Sequence, residues 1–186
     1  MLSAACDDGR VRKLGGGFTV YSCVCYRDAT PLDAHLGIVR IDGLEASGLL
    51  AYSVLRACRG PPDLVLLDSV TIAGFNVASP YALHRLVGAP VVVVYTYRPS
   101  YERLAPAAMR APGGLGPRRP VLRLVNEAVE VETRRGPLHI LAVGTSLAEA
   151  VEAIESLQVH SRVPEPLRMA HALASEASRL LMAPSV

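Results

Sequence analysis

Five acidic residues stand where the chain turns or an element begins. Asp7 and Asp8 follow a short apolar run, Asp42 and Glu45 precede a helical pattern, and Asp68 ends the run Leu64-Val65-Leu66-Leu67. Carboxylates brought together without enough basic partners repel one another unless a cation neutralises them, and hard cations such as Mg²⁺ and Mn²⁺ take oxygen ligands. A site of that kind activates water and stabilises the leaving oxygen of a phosphodiester. Each acid also has a plainer explanation. Asp7 and Asp8 fit an ordinary turn. Asp42-Gly43 is a turn pair, and Glu45 falls in a first helical turn, where the helix dipole favours an acid. Asp68 resists such treatment, because an acid ending a doubly buried strand is costly unless partnered. The carboxyl ends of such strands are also where open α/β sheets build their sites.

Other residue types add less. His171 lies three residues after Arg168 and six after Glu165 in a helical segment, where a surface role competes with that of a base. His35, His84, His139 and His160 have no ligand spacing with one another. Tyr95, Tyr97, Arg98 and Tyr101 cluster after Val91–Val94, suited to stacking on bases and contacting phosphate or simply to lining a sheet edge. Gly15-Gly16-Gly17 lacks the context of a phosphate loop, and no helix follows it. Cys6, Cys23, Cys25 and Cys58 form no CxxC pair. Cys23 and Cys25 share a strand face and read as packing residues in a reduced, cytoplasmic protein.

The elements that must position these groups follow from pattern. Strands are expected at 2–6, 18–26, 34–41, 64–67, 89–95, 129–133 and 138–143, with the 18–26 and 34–41 pair as a hairpin. Helices are expected at 45–58, 80–87 (Ser79 as cap, Pro80 first, Gly88 after), 100–109, 146–157 behind Thr145, and 167–182. Residues 10–17 and the Gly- and Pro-rich stretch 111–120 read as loops, the latter a flexible connector. Early antiparallel strands followed by helix-linked buried strands give an α/β protein with a mixed sheet flanked by helices, the arrangement of ribonuclease H-like nucleases. A chain of 186 residues suits one domain that buries about two-thirds of its unfolded surface. A net charge of +2 excludes a strongly basic surface overall, though not a local patch. No signal peptide is expected, and no apolar stretch reaches the roughly 20 residues needed to cross a bilayer.

Five segments carry a resemblance. They are Asp7-Asp8-Gly9; Ile41-Asp42-Gly43-Leu44-Glu45-Ala46-Ser47; the run from Leu67-Asp68-Ser69 through Ala73-Gly74-Phe75-Asn76-Val77; Ala89-Pro90-Val91-Val92-Val93-Val94; and Pro164-Glu165-Pro166-Leu167-Arg168-Met169-Ala170-His171. In this order they resemble the archaeal endonuclease dU family, related to endonuclease V. The resemblance implies a ribonuclease H-like fold and Mg²⁺-dependent (or Mn²⁺-dependent) cleavage of DNA near a deaminated base, uracil above all. By motif it implies catalytic roles for Asp7, Glu45, Asp68 and His171, and a metal set drawn from Asp7, Asp8, Asp42, Glu45 and Asp68. It implies substrate contacts from Asn76, Tyr97, Arg98 and Arg168, with Arg98 near a lysine of the relative. Strand alternation puts Asp7 and Asp8 on opposite faces, and which one meets the metal stays open. The chain departs from the family's pattern at Ser69 (usually Gly), Arg10-Val11 (Pro-Phe), Glu45 (Asp) and Ser79 (Asp). Those departures weaken uracil specificity more than nuclease chemistry. A non-catalytic nucleic-acid-binding protein of the same fold is the alternative, and a small-molecule phosphohydrolase with a closed pocket is a third reading.

Overall fold

The computed structural model describes residues 1–11 and 16–181. Three strands come first, β1 (Leu2–Asp8), β2 (Phe18–Arg27) and β3 (Thr30–Arg40), then α1 (Ala46–Cys58) and β4 (Leu64–Leu67). A two-rung hairpin of β5 (Thr71–Ile72) and β6 (Asn76–Val77) leads into α2 (Pro80–Val87), β7 (Val91–Tyr95), α3 (Tyr101–Ala108) and α4 (Arg119–Arg123). β8 (Val129–Val131), β9 (Leu138–Val143), α5 (Leu147–Leu157) and α6 (Glu165–Leu181) complete it. The main sheet has the order β3-β2-β1-β4-β7-β9-β8. β1, β4 and β7 run parallel at its centre and the outer strands are antiparallel. It is the expected single-domain α/β fold, a ribonuclease H-like mixed sheet with helices on both faces.

The central runs read as wholly apolar because both faces are covered. Val65, Leu67, Val91 and Val93 pack with Leu50 and Val54 of α1 and Leu83 of α2. Leu64, Leu66, Val92 and Val94 pack with Ile154 of α5 and Leu167 and Ala170 of α6. Helix α6 lies close on β1 and β2 through Ala170, Ala174 and Ser178. Ser22 Oγ donates to the Ala170 carbonyl at 2.7 Å, and a Cβ on Gly9 would overlap the Ala174 carbonyl oxygen. That close approach requires glycine where β1 ends.

Several expectations change. β1 does not stop at Cys6, because Asp7 and Asp8 keep pairing with Ser22 and Tyr21. β3 begins at Thr30, four residues early, since Asp28 takes a left-handed φ of 54° and closes the hairpin tightly. Ser146, not Thr145, caps α5 in a capping box with Glu149. Residues 12–15 of the loop expected at 10–17, and Met182, the expected end of the last helix, lie outside the described residues.

The cysteines are the largest correction. All four are paired, Cys6 with Cys23 and Cys25 with Cys58. Cys6 and Cys23 are register partners on neighbouring antiparallel strands, and Cys25 meets the last residue of α1. Sequence spacing carries no trace of either match. A link closing a loop of 17 residues stabilises by about 3 kcal/mol. Denatured but unreduced protein should therefore take up no iodoacetamide, and reduction should lower the unfolding free energy by about that much per bridge. Four alkylated cysteines without reductant would contradict the pairing.

Candidate active site

β1 and β4 lie side by side in parallel, with Cys6 opposite Leu67. The next residue on each is an aspartate, so Asp7 and Asp68 leave the sheet together at its carboxyl edge. Their parity matches that of Ala5 and Leu66, which places both on the α6 side. There His171 Nδ1 sits 2.8 Å from Asp7 Oδ2. A hollow of about 470 Å³ opens over the pair, lined also by Ser69, Tyr97, Arg168 and His171. Arg168 closes on Glu165 at 2.8 Å at its edge.

The two acids are electrostatically strained. Asp68 is half-buried as a residue, but its Oδ1 is shielded from solvent and has no hydrogen-bond partner. Burial, then repulsion from Asp7 and Asp8, raises its carboxyl well above the usual range. Asp7 is pushed up to about 7, first by burial and then by Asp8, against the opposing pull of the Asp8 N–H at 2.7 Å. Asp8 faces the other side of the sheet, where its Oδ2 accepts from the Ala73 N–H at 2.7 Å. Its carboxyl is raised by burial despite that bond.

The structure thus gathers Asp7, Asp68, His171, Tyr97 and Arg168 around one hollow. Arg98 lies in a neighbouring one that shares Tyr97. Asp42 and Glu45, expected as metal ligands, line a separate hollow beside Arg118. Asp42 Oδ1 accepts from the Phe75 N–H at 2.7 Å. Glu45 accepts from the N–H groups of Arg40 and Leu44 at 3.1 and 2.9 Å. Burial alone would raise the Glu45 carboxyl, but those donors outweigh it and leave it below the ordinary value. Asn76, expected to touch substrate, is fully buried. Its Oδ1 accepts from the Ala46 N–H and its Nδ2 donates to the Arg40 carbonyl, so its amide faces the backbone and not solvent. These three residues brace the entry to α1. Sequence reasoning also passed over Arg118, which is wholly buried inside the supposed connector 111–120 and anchors it. A lone arginine in a Gly- and Pro-rich stretch gives no signal of burial.

Among the described residues no three His, Cys, Asp or Glu side chains form a ready metal cage. Mg²⁺, however, is commonly held by one or two carboxylates together with water and substrate phosphate. The Asp7–Asp68 pair fits that manner of binding, because the orphaned Asp68 Oδ1 is an unspent oxygen donor.

The strain has a sign that can be measured. An acid whose folded pKa lies above its unfolded value holds extra protons in the folded state, so stability falls as pH rises between the two. For Asp7 that window runs from about 4 to about 7. Without divalent cation, the wild-type Tm should drop relative to that of an Asp7→Asn variant as pH goes from 5 to 7.5. A difference that stays flat across that range would remove the strain.

The mixed sheet is that of the endonuclease V class of fold. The chain is similar to endonuclease V of Ciona intestinalis, crystallised with a 24mer DNA containing an inosine followed by a ribo-adenosine: TM-score 0.63, 14% identity, 97% of this chain and 87% of that one. It is also similar to a protein of unknown function from Archaeoglobus fulgidus, with a TM-score of 0.78 at 21% identity over 95% of this chain and 97% of that one. At such identities the likeness is one of fold. The sequence itself decides the family. The profile of the endonuclease dU family matches residues 2–178, and a UPF0215 protein of Aeropyrum pernix is 49% identical over 183 residues, 95% of this chain and 97% of that protein. The chain belongs to the endonuclease dU family and is a nuclease by that membership. No helix among the described residues is long and apolar enough to cross a membrane.

Proposed function

We propose that this protein hydrolyses a DNA phosphodiester next to a deaminated base, deoxyuridine foremost, using Mg²⁺ or Mn²⁺ held by Asp7 and Asp68. The observation that carries the reading is the Asp68 carboxylate beside Asp7 in an open hollow, with its shielded Oδ1 unpartnered. The cation, when bound, supplies charge neutralisation at the phosphate and eases deprotonation of water. The protein's own groups do the rest. Ionised Asp7 accepts from His171 Nδ1–H, which fixes the ring and leaves Nε2 as the basic nitrogen, able to take a proton from an attacking water. Arg168, at the edge of the hollow, offers its guanidinium to a phosphate oxygen. Tyr97, 68% exposed, presents a ring face to a neighbouring base.

The test is direct. End-labelled strands containing uracil, hypoxanthine or neither are incubated with the protein in Mg²⁺, in Mn²⁺ and in EDTA. The uracil strand should be nicked in either cation and left intact in EDTA. Undiminished cleavage in EDTA, or no nicking of any strand, would overturn the proposal.

A further inference from the structure

Between Ser69 and Asn126 the chain carries seven arginines and a single acid, Glu102, although its net charge is only +2. The fold collects most of these arginines on one cap. β7 lies next to β4 in the sheet, and the chain builds α3 and α4 directly beyond its end. Arg98, Arg103, Arg110, Arg119 and Arg123 are all exposed on this cap. Four exposed arginines elsewhere close on acids: Arg59 on Asp33, Arg134 on Glu155, Arg168 on Glu165 and Arg179 on Glu176. Among the described residues none of the five on the cap has an acidic partner.

A hollow of about 560 Å³ lies where β7 gives way to α3. Arg98, Arg103, Glu102 and Asn126 line it, and Tyr97 is the wall it shares with the hollow over Asp7 and Asp68. The start of α3 does not account for any pull on an anion, because its N–H groups are engaged. Ser100 Oγ accepts from Arg103 N–H at 3.4 Å, and Asn126 Oδ1 accepts from Tyr101 N–H at 3.0 Å. Glu102 is turned to the same scaffold, accepting from Ser100 Oγ at 2.8 Å and Asn126 Nδ2 at 3.3 Å, and bonds no arginine. The guanidiniums are what remains for a ligand. Arg123 is held over the Tyr101 ring at 5.7 Å, which keeps another positive charge on the cap.

We propose that this hollow holds the DNA strand as it leaves the acid pair, with Arg98 and Arg103 on its phosphates and the intervening base stacked on Tyr97. The assignment rests on the endonuclease reading and adds to it the path of the bound strand. Guanidinium forks match phosphate oxygens bidentately, and an exposed ring between two anion sites suits a strand whose bases are splayed outward.

Binding can be measured apart from cleavage. A fluorescent, unmodified single-stranded DNA is titrated in EDTA across a KCl series, with wild-type protein and with Arg98→Ala, Arg103→Ala, the double variant, Arg103→Lys and the distant Arg56→Ala. Removing one arginine from its phosphate should lower the slope of log affinity against log salt by about 0.7. The double variant should fall by about 1.4 in slope and bind at least tenfold more weakly near 0.1 M salt. Arg103→Lys should keep most of the slope, and Arg56→Ala all of it. Wild-type slope and affinity in the double variant would overturn the proposal, as would a weakening no larger than that of Arg56→Ala. If binding depends on Arg98 and Arg103 but no strand is ever nicked, the path stands and the endonuclease reading falls. Absence of wild-type binding to this strand would remove the path, and the endonuclease reading would still be decided by the nicking of the uracil strand.

Discussion

An Asp68→Asn variant is expected to lose strand cleavage by on the order of 10²- to 10⁴-fold, the range for losing one positioned acid–base or charge-bearing group, while becoming more stable. Asparagine matches aspartate in shape, so the ends of β4 and β7 should not move. What goes is an acid whose ionised form is disfavoured by desolvation and by Asp7 and Asp8, and whose Oδ1 is unpartnered. Without divalent cation at pH 8 the variant should melt above wild type. Single-turnover nicking of a uracil strand gives the first half of the result and a thermal melt gives the second. Activity within threefold of wild type would move the chemistry away from this hollow. A lower Tm would mean that the carboxylate is a structural partner and not a strained acid. Gain of stability with loss of function is the usual signature of a group held against its own preference.

The largest effect on stability is expected at Arg118. Its guanidinium has five N–H donors, and the fold meets each with a carbonyl oxygen. Nε donates to Phe75 at 2.7 Å, Nη1 to Pro112 and Gly114 at 2.8 Å each, and Nη2 to Asp42 and to Gly43. Burying such a charge is costly unless every donor is used, and here every one is. Arg118→Met keeps an unbranched chain but strips the donors, leaving five carbonyls facing a thioether. A loss of about 3–5 kcal/mol is expected in urea unfolding. Arg118→Lys, with three donors on one nitrogen, should recover only part of it. A loss below 1 kcal/mol for Met would deny Arg118 its anchoring role. Because those carbonyls belong to the turn at Asp42-Gly43, the turn at Phe75 and the segment 112–114, amide exchange should quicken at all three together.

Much of the fold was legible because it depends on local pattern. Leu64–Leu67 and Val91–Val94 announce doubly buried strands by having no polar face, and Ser79-Pro80 announces the start of α2. Asp68 stood out for the same reason: an acid at the end of such a strand has no cheap explanation. The rest depends on partners far apart in sequence. Nothing near Cys25 points to Cys58, and nothing near Arg118 points to Asp42, Gly43 and Phe75. Asp42 and Glu45 looked like ligands because their types and spacing suit a metal. The structure spends them on backbone N–H groups, a use that spacing cannot distinguish from coordination. Alternation separated Asp7 from Asp8, but only the docking of α6 on the Asp7 face shows which of them meets His171.

That separation gives the Cys6–Cys23 bridge a meaning beyond cohesion. Adjacent aspartates on one strand serve opposite compartments, Asp7 the hollow beneath α6 and Asp8 the amide of Ala73. A slip of β1 by one residue would exchange them, sending every side chain on the strand to the other side. Hydrogen bonds alone permit such a slip on a strand whose side chains are as small as Ser3, Ala4 and Ala5. The covalent tie sits one residue before the first aspartate and joins strictly opposed positions. It works as an indexing pin, allowing one alignment of β1 against β2 and so deciding which of two identical side chains is the reagent.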